Sequence, residues 1–375
     1  MKIRAAVLRS SPVFPPFAQT RPLSIKEIDL EPPGRDEILV RIGAAGLCHS
    51  DLSVINGDRP RPVPMALGHE AAGVVEVVGD GVADLIPGDH VVMSFVPSCG
   101  HCLPCAEGRP ALCIPGAQAN GHGTLLSGAR RLVCDEVLVN HHLGVSSFAT
   151  HAVVSRHSAV KIDRDLPLKE AALFGCAVLT GVGAIVNTCR VQPGQTVAVV
   201  GLGGVGLAAV LGALASGAER VVAVDLAPAK LEIARRLGAT DTFNASEPGV
   251  AEAIRDVTDG GVDHAVEMAG SAKAFELAYK ITRRGGTTAT AGLANPAGSF
   301  SIPAVSLVAE ERRVFGSYLG GCVPSRDIPR FIGLYRRGRL AVDRLLSSTG
   351  PLEEINQAFD LLHEGRVIRH VIEFG

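Results

Sequence analysis

The segment from Thr196 to Ser216 constrains the fold more than any other. A short β-branched run, Thr196–Val200, passes directly into Gly201-Leu-Gly203-Gly204-Val205-Gly206 and then into an Ala/Leu-rich stretch ending near Ser216. The first piece has the length of a buried strand and the last that of a helix. Between a strand and a helix, each glycine has a physical task. Gly201 permits the tight turn, Gly203 lets a pyrophosphate approach the backbone, and Gly206 lets helix and strand pack closely. The helix start, with Gly204 and Val205, offers free N–H groups and the positive end of its dipole to the phosphates. A dinucleotide is therefore the expected ligand. The next strand, Arg220–Asp225, ends in an acid that can accept from both ribose hydroxyls and would repel a 2′-phosphate, which favours NAD over NADP. Lys230, five residues on, could reach the ribose or a phosphate; its alternative is an ordinary solvated helix position.

The alternation continues through the middle of the chain. The pattern predicts helices at Gly204–Ser216, Pro228–Leu237, Gly249–Thr258 and Ser271–Thr282. Strands are expected at Thr242–Asn244, Asp263–Glu267, Thr287–Ala291 and Arg313–Leu319. Six strands with intervening crossovers imply a parallel, doubly wound sheet. The first 170 or so residues read differently. Short Val/Ile-rich runs (Ile38–Ile42, Ala72–Val78, His90–Ser94, Ala152–Val154, Val160–Ile162) are punctuated by Gly and Pro, as in a compact barrel-like β domain. The tail returns to mixed texture, with helices near Ile328–Arg337 and Leu352–Glu364 and a last strand at Arg369–Phe374. A length of 375 residues fits two domains. With 36 Lys+Arg against 38 Asp+Glu and no Trp, the chain lacks the basic and aromatic material of a nucleic-acid binder. The N-terminus has no long apolar centre, and glycines interrupt the longest apolar run, so a soluble, cytoplasmic protein with no membrane partner is expected.

Nine cysteines in so long a chain point to metal rather than to a disulfide framework. Cys99, Cys102, Cys105 and Cys113 follow the spacing C-x2-C-x2-C-x7-C. Four such thiolates can surround Zn²⁺ tetrahedrally and leave no open position, so the site would be structural. An iron–sulfur run begins similarly but places its fourth Cys three residues on. Three further residues stand near glycine turns: Cys48 after Gly46, His69 after Gly68, and Cys176 after Gly175. Two thiolates and an imidazole would make a three-ligand zinc site with one open position, as catalysis needs. Spacing alone leaves this open, because a lone buried Cys is usually a small core residue. Cys134, Cys189 and Cys322 carry no assigned role.

Taken together, GLCHSD (46–51), GHEAAGVVEVVG (68–79), the four-cysteine run, FGCAVLTG (174–181), GLGGVG (201–206) and VIRHVIEF (367–374) resemble the zinc-dependent medium-chain alcohol dehydrogenases, in order and from end to end. The resemblance implies a GroES-like catalytic domain, 1–178 with 320–375 returning to it, and a Rossmann NAD-binding domain, 179–319. It implies two Zn²⁺ per chain and hydride transfer between an alcohol and NAD, giving an aldehyde or ketone. Cys48, His69 and Cys176 would hold the catalytic zinc. Glu70 would approach it during ligand exchange, Asp51 would orient His69, and Ser50 would take the alcohol's proton. His49 and Arg369 would face the pyrophosphate, and Gly292, Ser317 and Leu319 the nicotinamide carboxamide. Phe95 and Leu143 would line the substrate pocket with Ser50. Ser53 stands where many relatives carry a proton-relaying His. The segment around His141-His142-Leu143 is similar to the long-loop branch, so a homodimer is expected, with a tetramer as the alternative. A glutathione-dependent formaldehyde dehydrogenase and a carbonyl reductase are rival readings within the family. A non-catalytic NAD-binding sensor would lack a zinc ligand.

Overall fold

Strand Glu37–Gly46 organises the N-terminal part of the computed structural model, which describes residues 1–375. Its side chains alternate between two cores. Ile38, Val40 and Ile42 are buried in the larger one, and Leu39 joins Val153, Ile3 and Ile28 in the smaller. Period-two alternation with both faces apolar marks a strand covered on both sides. Each such aliphatic side chain contributes about 1.5–3 kcal/mol by leaving water.

The chain divides into two compact units. The first comprises Met1–Cys176, Val323–Pro329 and Leu346–Gly375. It contains a closed barrel in the order Lys2–Leu8, Leu23–Leu30, Leu132–Cys134, Val137–His141, Met65–Ala66. It also contains a seven-stranded sheet in which Glu37–Gly46 is central. That strand pairs with Glu70–Val78 along one side. On the other side it pairs with His151–Ser155 at its start and with Arg369–Glu373 at its end.

The second unit comprises Ala177–Cys322 and Arg330–Leu345. Its sheet is wholly parallel, in the order Asp241–Asn244, Arg220–Asp225, Thr196–Val200, Val262–Glu267, Thr282–Thr290, Arg313–Gly316. This is the doubly wound order expected from the alternation. Helix Pro228–Leu237 has Pro in its first turn and Gly238 at φ 113° just past its end, as the sequence predicts. The sixth strand stops at Gly316 rather than Leu319, because Leu319 (φ 52°) and Gly320 (φ 66°) turn the backbone left-handed.

The expected return of 320–375 to the first unit is interrupted. Residues 330–345 cluster with the second unit, where Val342 and Leu345 are fully buried against helix Gly204–Ala215. Burial of these apolar groups outweighs sequence continuity. No single helix is long and apolar enough to cross a membrane.

Candidate metal centres and nucleotide site

In the first unit, strand register assembles the site. Gly46, at the end of the central strand, lies opposite Glu70 on one side and Val371 on the other. The exit Leu47-Cys48, the approach His69-Glu70 and the strand start Arg369-His370 therefore converge, and Leu47 N donates to His370 O at 2.9 Å. A Cβ on Gly46 would stand 3.1 Å from Glu70 Cδ, so the glycine makes room for the carboxyl group. The fourth arm is Cys176. It follows the turn Ala172–Gly175, where a Cβ on Gly175 would come within 2.1 Å of Met93 O. Cys48, His69, Glu70 and Cys176 are all buried, and their ligand atoms lie within 4.8 Å of one another.

The electrostatics match a cation site. A bond with the Cys176 thiol, aided by the Arg369 and His69 charges, holds Cys48 well below the ordinary thiol range despite burial. Cys176 is pushed well up by that same bond and by burial. Burial raises the Glu70 carboxyl to about 7, against the pull of Arg369. Neither Glu70 oxygen has a hydrogen-bond partner, although Arg369 Nη1 is 3.3 Å from Oε2. Two sulfurs, an imidazole and a buried carboxylate with unfilled lone pairs suit a divalent ion of borderline softness, and zinc fits.

The surrounding residues fall as follows. Asp51 Oδ1 accepts from Gly68 N and from His69 Nδ1, both at 3.1 Å, which leaves Nε2 as the metal-facing nitrogen of His69. Ser50 Oγ lies 3.7 Å from Cys48 Sγ. Ser53 Oγ instead donates to His49 O at 2.8 Å, back onto its own helix His49–Ile55. His49 is exposed at the start of that helix. Phe95 meets the His69 ring edge-on, with centroids 5.5 Å apart, and Leu143 is buried at φ 53°. Arg369, expected to face a pyrophosphate, is buried beside Glu70 and donates to Leu47 O at 3.0 Å. His142 is a residue sequence reading passed over: it sits 3.1 Å from Asp51 Oδ1. The signal for it is a tandem His pair interrupting an otherwise apolar run.

The four-cysteine lobe closes on itself. The sulfurs of Cys99, Cys102, Cys105 and Cys113 lie within 4.8 Å of one another, and all are free thiols. Backbone amides point at the sulfurs: Cys102 N at Cys99 Sγ (3.3 Å), and Cys99 N and Gly116 N at Cys113 Sγ (3.2 and 3.4 Å). The amides of Cys105 and Ile114 draw the Cys102 thiol down to about 6. Burial pushes Cys113 up, and Cys105 up to about 12, so these amides favour the thiolate at Cys102 while a cation is needed to hold all four sulfurs as thiolates, the ligand form of a closed zinc site.

In the second unit, Gly201 has φ +97°, and a Cβ on Gly206 would fall 1.8 Å from Gly201 O, so both positions require glycine. A Cβ on Gly203 would meet nothing within 4 Å, so packing alone does not demand glycine there. Gly204 and Val205 open the helix. Asp225 closes against this loop: Oδ2 accepts from Leu202 N at 2.7 Å and Oδ1 from Ala227 N at 2.9 Å. Lys230 is half-buried in the first turn of the following helix. Gly292 N donates to Glu267 O at 3.2 Å, and Ser317 N donates to Thr290 O at 2.8 Å, so both amides are engaged within the sheet. Leu319 is buried in the turn that follows.

Residues 34–164 match the family model "Alcohol dehydrogenase GroES-like domain", and residues 204–337 match "Zinc-binding dehydrogenase". The chain is 38% identical to an S-(hydroxymethyl)glutathione dehydrogenase of Synechocystis, covering all of both chains. A probable S-(hydroxymethyl)glutathione dehydrogenase of Schizosaccharomyces pombe is 38% identical, over 94% of each chain. Among solved structures, benzyl alcohol dehydrogenase from Acinetobacter calcoaceticus superposes with a TM-score of 0.93 at 32% identity, covering all of both chains. An alcohol dehydrogenase zinc-binding domain protein from Burkholderia ambifaria gives a TM-score of 0.94 at 35% identity, over 100% of this chain and 99% of that one.

Proposed function

The chain belongs to the zinc-dependent medium-chain alcohol dehydrogenases, and from that premise we propose that it oxidises an alcohol with an apolar group beside the carbinol carbon, using NAD, through the residues assembled around Cys48. The observation that carries this reading is the buried set Cys48, His69, Glu70 and Cys176 with Ser50 alongside. Zinc held by Cys48, His69 and Cys176 would act as a Lewis acid on the alcohol oxygen. Asp51 keeps the His69 ring in the tautomer a metal ligand needs. Ser50, whose hydroxyl is not drawn into its helix as that of Ser53 is, takes the hydroxyl proton. Loss of that proton leaves its electron pair on the alcohol oxygen, which forms the carbonyl double bond as the carbon gives up a hydride; NAD, when bound, would supply the acceptor for that hydride. Glu70 and Arg369 balance charge under the metal ligands. Phe95, edge-on to His69, and buried Leu143 make the lining apolar.

Cofactor choice rests on Asp225, whose carboxylate is anchored to the glycine loop where an adenosine ribose would lie. Cys99, Cys102, Cys105 and Cys113 would hold the second, structural zinc. The assembly is a homodimer: strand Arg313–Gly316 ends the parallel sheet with its outer edge unpaired, and Val314 and Phe315 on it are exposed. Such an edge invites antiparallel pairing with a second copy across a twofold axis.

A second reading, oxidation of S-(hydroxymethyl)glutathione, is favoured by the names of the relatives at 38% identity. NADH formation at 340 nm with benzylic, aliphatic and S-(hydroxymethyl)glutathione substrates separates the two. Benzylic turnover well above the glutathione adduct supports the first, and the reverse order overturns it. In either case Cys48→Ala and His69→Ala are expected to abolish turnover while NADH binding, read by fluorescence, survives. Parallel loss of both would remove the role assignment.

A further inference from the structure

Asp51 is fully buried, and three nitrogens crowd one of its oxygens. Gly68 N, His69 Nδ1 and His142 Nδ1 each lie 3.1 Å from Oδ1. His142 Nδ1 faces Asp51 Oδ1 at this distance without a formed hydrogen bond, to it or to any other group, and Asp51 Oδ2 is also unpartnered. The His142 side chain is itself only 2% exposed, and its ring meets that of His69 edge to face at 5.5 Å and 86°. Neither the ligand set nor the proton step uses this residue. A buried carboxylate is costly unless donors face it, and so is a buried N–H with nowhere else to go.

The backbone holds His142 in place against its own preferences. Strand Val137–His141 pairs with Met65–Ala66, with His141 opposite Ala66, so His142 leaves the strand beside the segment that leads to Gly68-His69. Leu143 (φ 53°) and Ser146 (φ 52°) then take left-handed conformations on either side of Gly144 (φ 67°). Residues with a Cβ avoid this region unless the surroundings enforce it. Ser146 supplies the enforcement: its Oγ accepts from His142 N at 2.9 Å and donates to Ala66 O at 2.8 Å. Backbone strain kept up in this way collects where a side chain has to be aimed.

Resting on the reading of His69 as a zinc ligand, we infer that His142 is a positioning residue whose buried Nδ1, facing Asp51 Oδ1 at 3.1 Å, and ring, edge-on to His69, together fix the orientation of His69 toward the metal. The metal site is then held by a chain of contacts, His142 to Asp51 to His69, rather than by Asp51 alone.

The test compares holoenzyme variants by zinc retention against a competing chelator, with zinc per chain read by mass spectrometry. The Cys99–Cys113 lobe supplies an internal reference and reports folding. His142→Asn carries an amide N–H near the place of Nδ1, and His142→Gln carries it further out. His142→Leu carries none and stands in if the Gln variant fails to fold. The expected result is that the Asn variant keeps its second zinc as the wild type does, while the Gln and Leu variants hold it about tenfold more weakly. The cobalt-substituted Gln and Leu proteins should also show a shifted visible band. Wild-type retention in the Gln and Leu variants, or equal loss in all three, overturns the inference. His69→Ala is the separate control: if it still carries two zincs, the ligand reading itself is wrong, whatever His142 does.

Discussion

His141 and His142 are neighbours, both buried, and face opposite problems. His142 turns toward a carboxylate. His141 has only the Arg131 amide, which donates to its Nε2 at 3.1 Å, and burial pushes its imidazole down to about 3. The folded chain therefore refuses a proton that the unfolded chain accepts at about 6.5. Stability attributable to His141 is complete above that upper value and is lost as pH falls through the window toward 3, reaching about 3 kcal/mol by pH 4. His141→Gln can keep an acceptor for the Arg131 amide without a titrating ring. Its denaturant midpoint should fall less than that of the wild type between pH 7 and pH 4; parallel declines would refute the assignment. At the nucleotide end, Asp225 anchors the glycine loop, and the proposed function gives it a second task, excluding a 2′-phosphate. Asp225→Ala should weaken use of both cofactors through the loop, so the informative readout is the ratio of kcat/KM for NAD to that for NADP. A fall of about tenfold corresponds to about 1.4 kcal/mol of lost discrimination. An unchanged ratio would mean that Asp225 serves the loop alone.

The lobe of Cys99 to Cys113 is an element with little regular structure of its own around four clustered sulfurs. Its helical pieces, Leu103–Ala106 and Pro110–Leu112, are single turns, too short to persist by themselves. Cys102→Ser should lower zinc from two to one per chain and lower the thermal midpoint, with unchanged zinc content counting against the closed site. This lobe was fully legible in the sequence because its ligands are local. The parallel sheet was legible for the same reason: each strand and its following helix form one continuous pattern, with Pro228 and Gly238 marking helix ends. The barrel was legible only as a class, from the short Val/Ile runs between Gly and Pro; its strand order was not, because strands such as Met65–Ala66 and Leu132–Cys134 are too short to show a period. Cys48, His69 and Cys176 stood out singly by their chemistry and their glycine turns, but spacing left their grouping open and the family resemblance supplied it. What brings them together is the register of Gly46 against Glu70, and pairing between distant strands leaves no local trace. The position of Arg369 beside Glu70 was hidden for the same reason. His142 was visible as a residue, but its contact with Asp51 depends on a turn that two left-handed residues hold open.

At the scale of the molecule, the remaining question is what covers the open edge of the parallel sheet. Arg313–Gly316 is exposed along all four residues, and it carries no proline or bulge that would block pairing. Positively charged Arg313 is its only charged residue, so the edge has little of the protection that monomeric sheets use. Two copies meeting antiparallel there would join two six-stranded sheets into one continuous sheet and remove Val314 and Phe315 from water. Sedimentation should give twice the chain mass for the wild type. Phe315→Asp places a charge within that seam, where a twofold axis would set it near its own copy, and like charges so placed repel. The variant should sediment as a monomer, with its zinc content unchanged because both metal sites lie in the other unit. A variant that stays dimeric would place the interface elsewhere, and a wild type at four times the chain mass would require a second interface besides this edge.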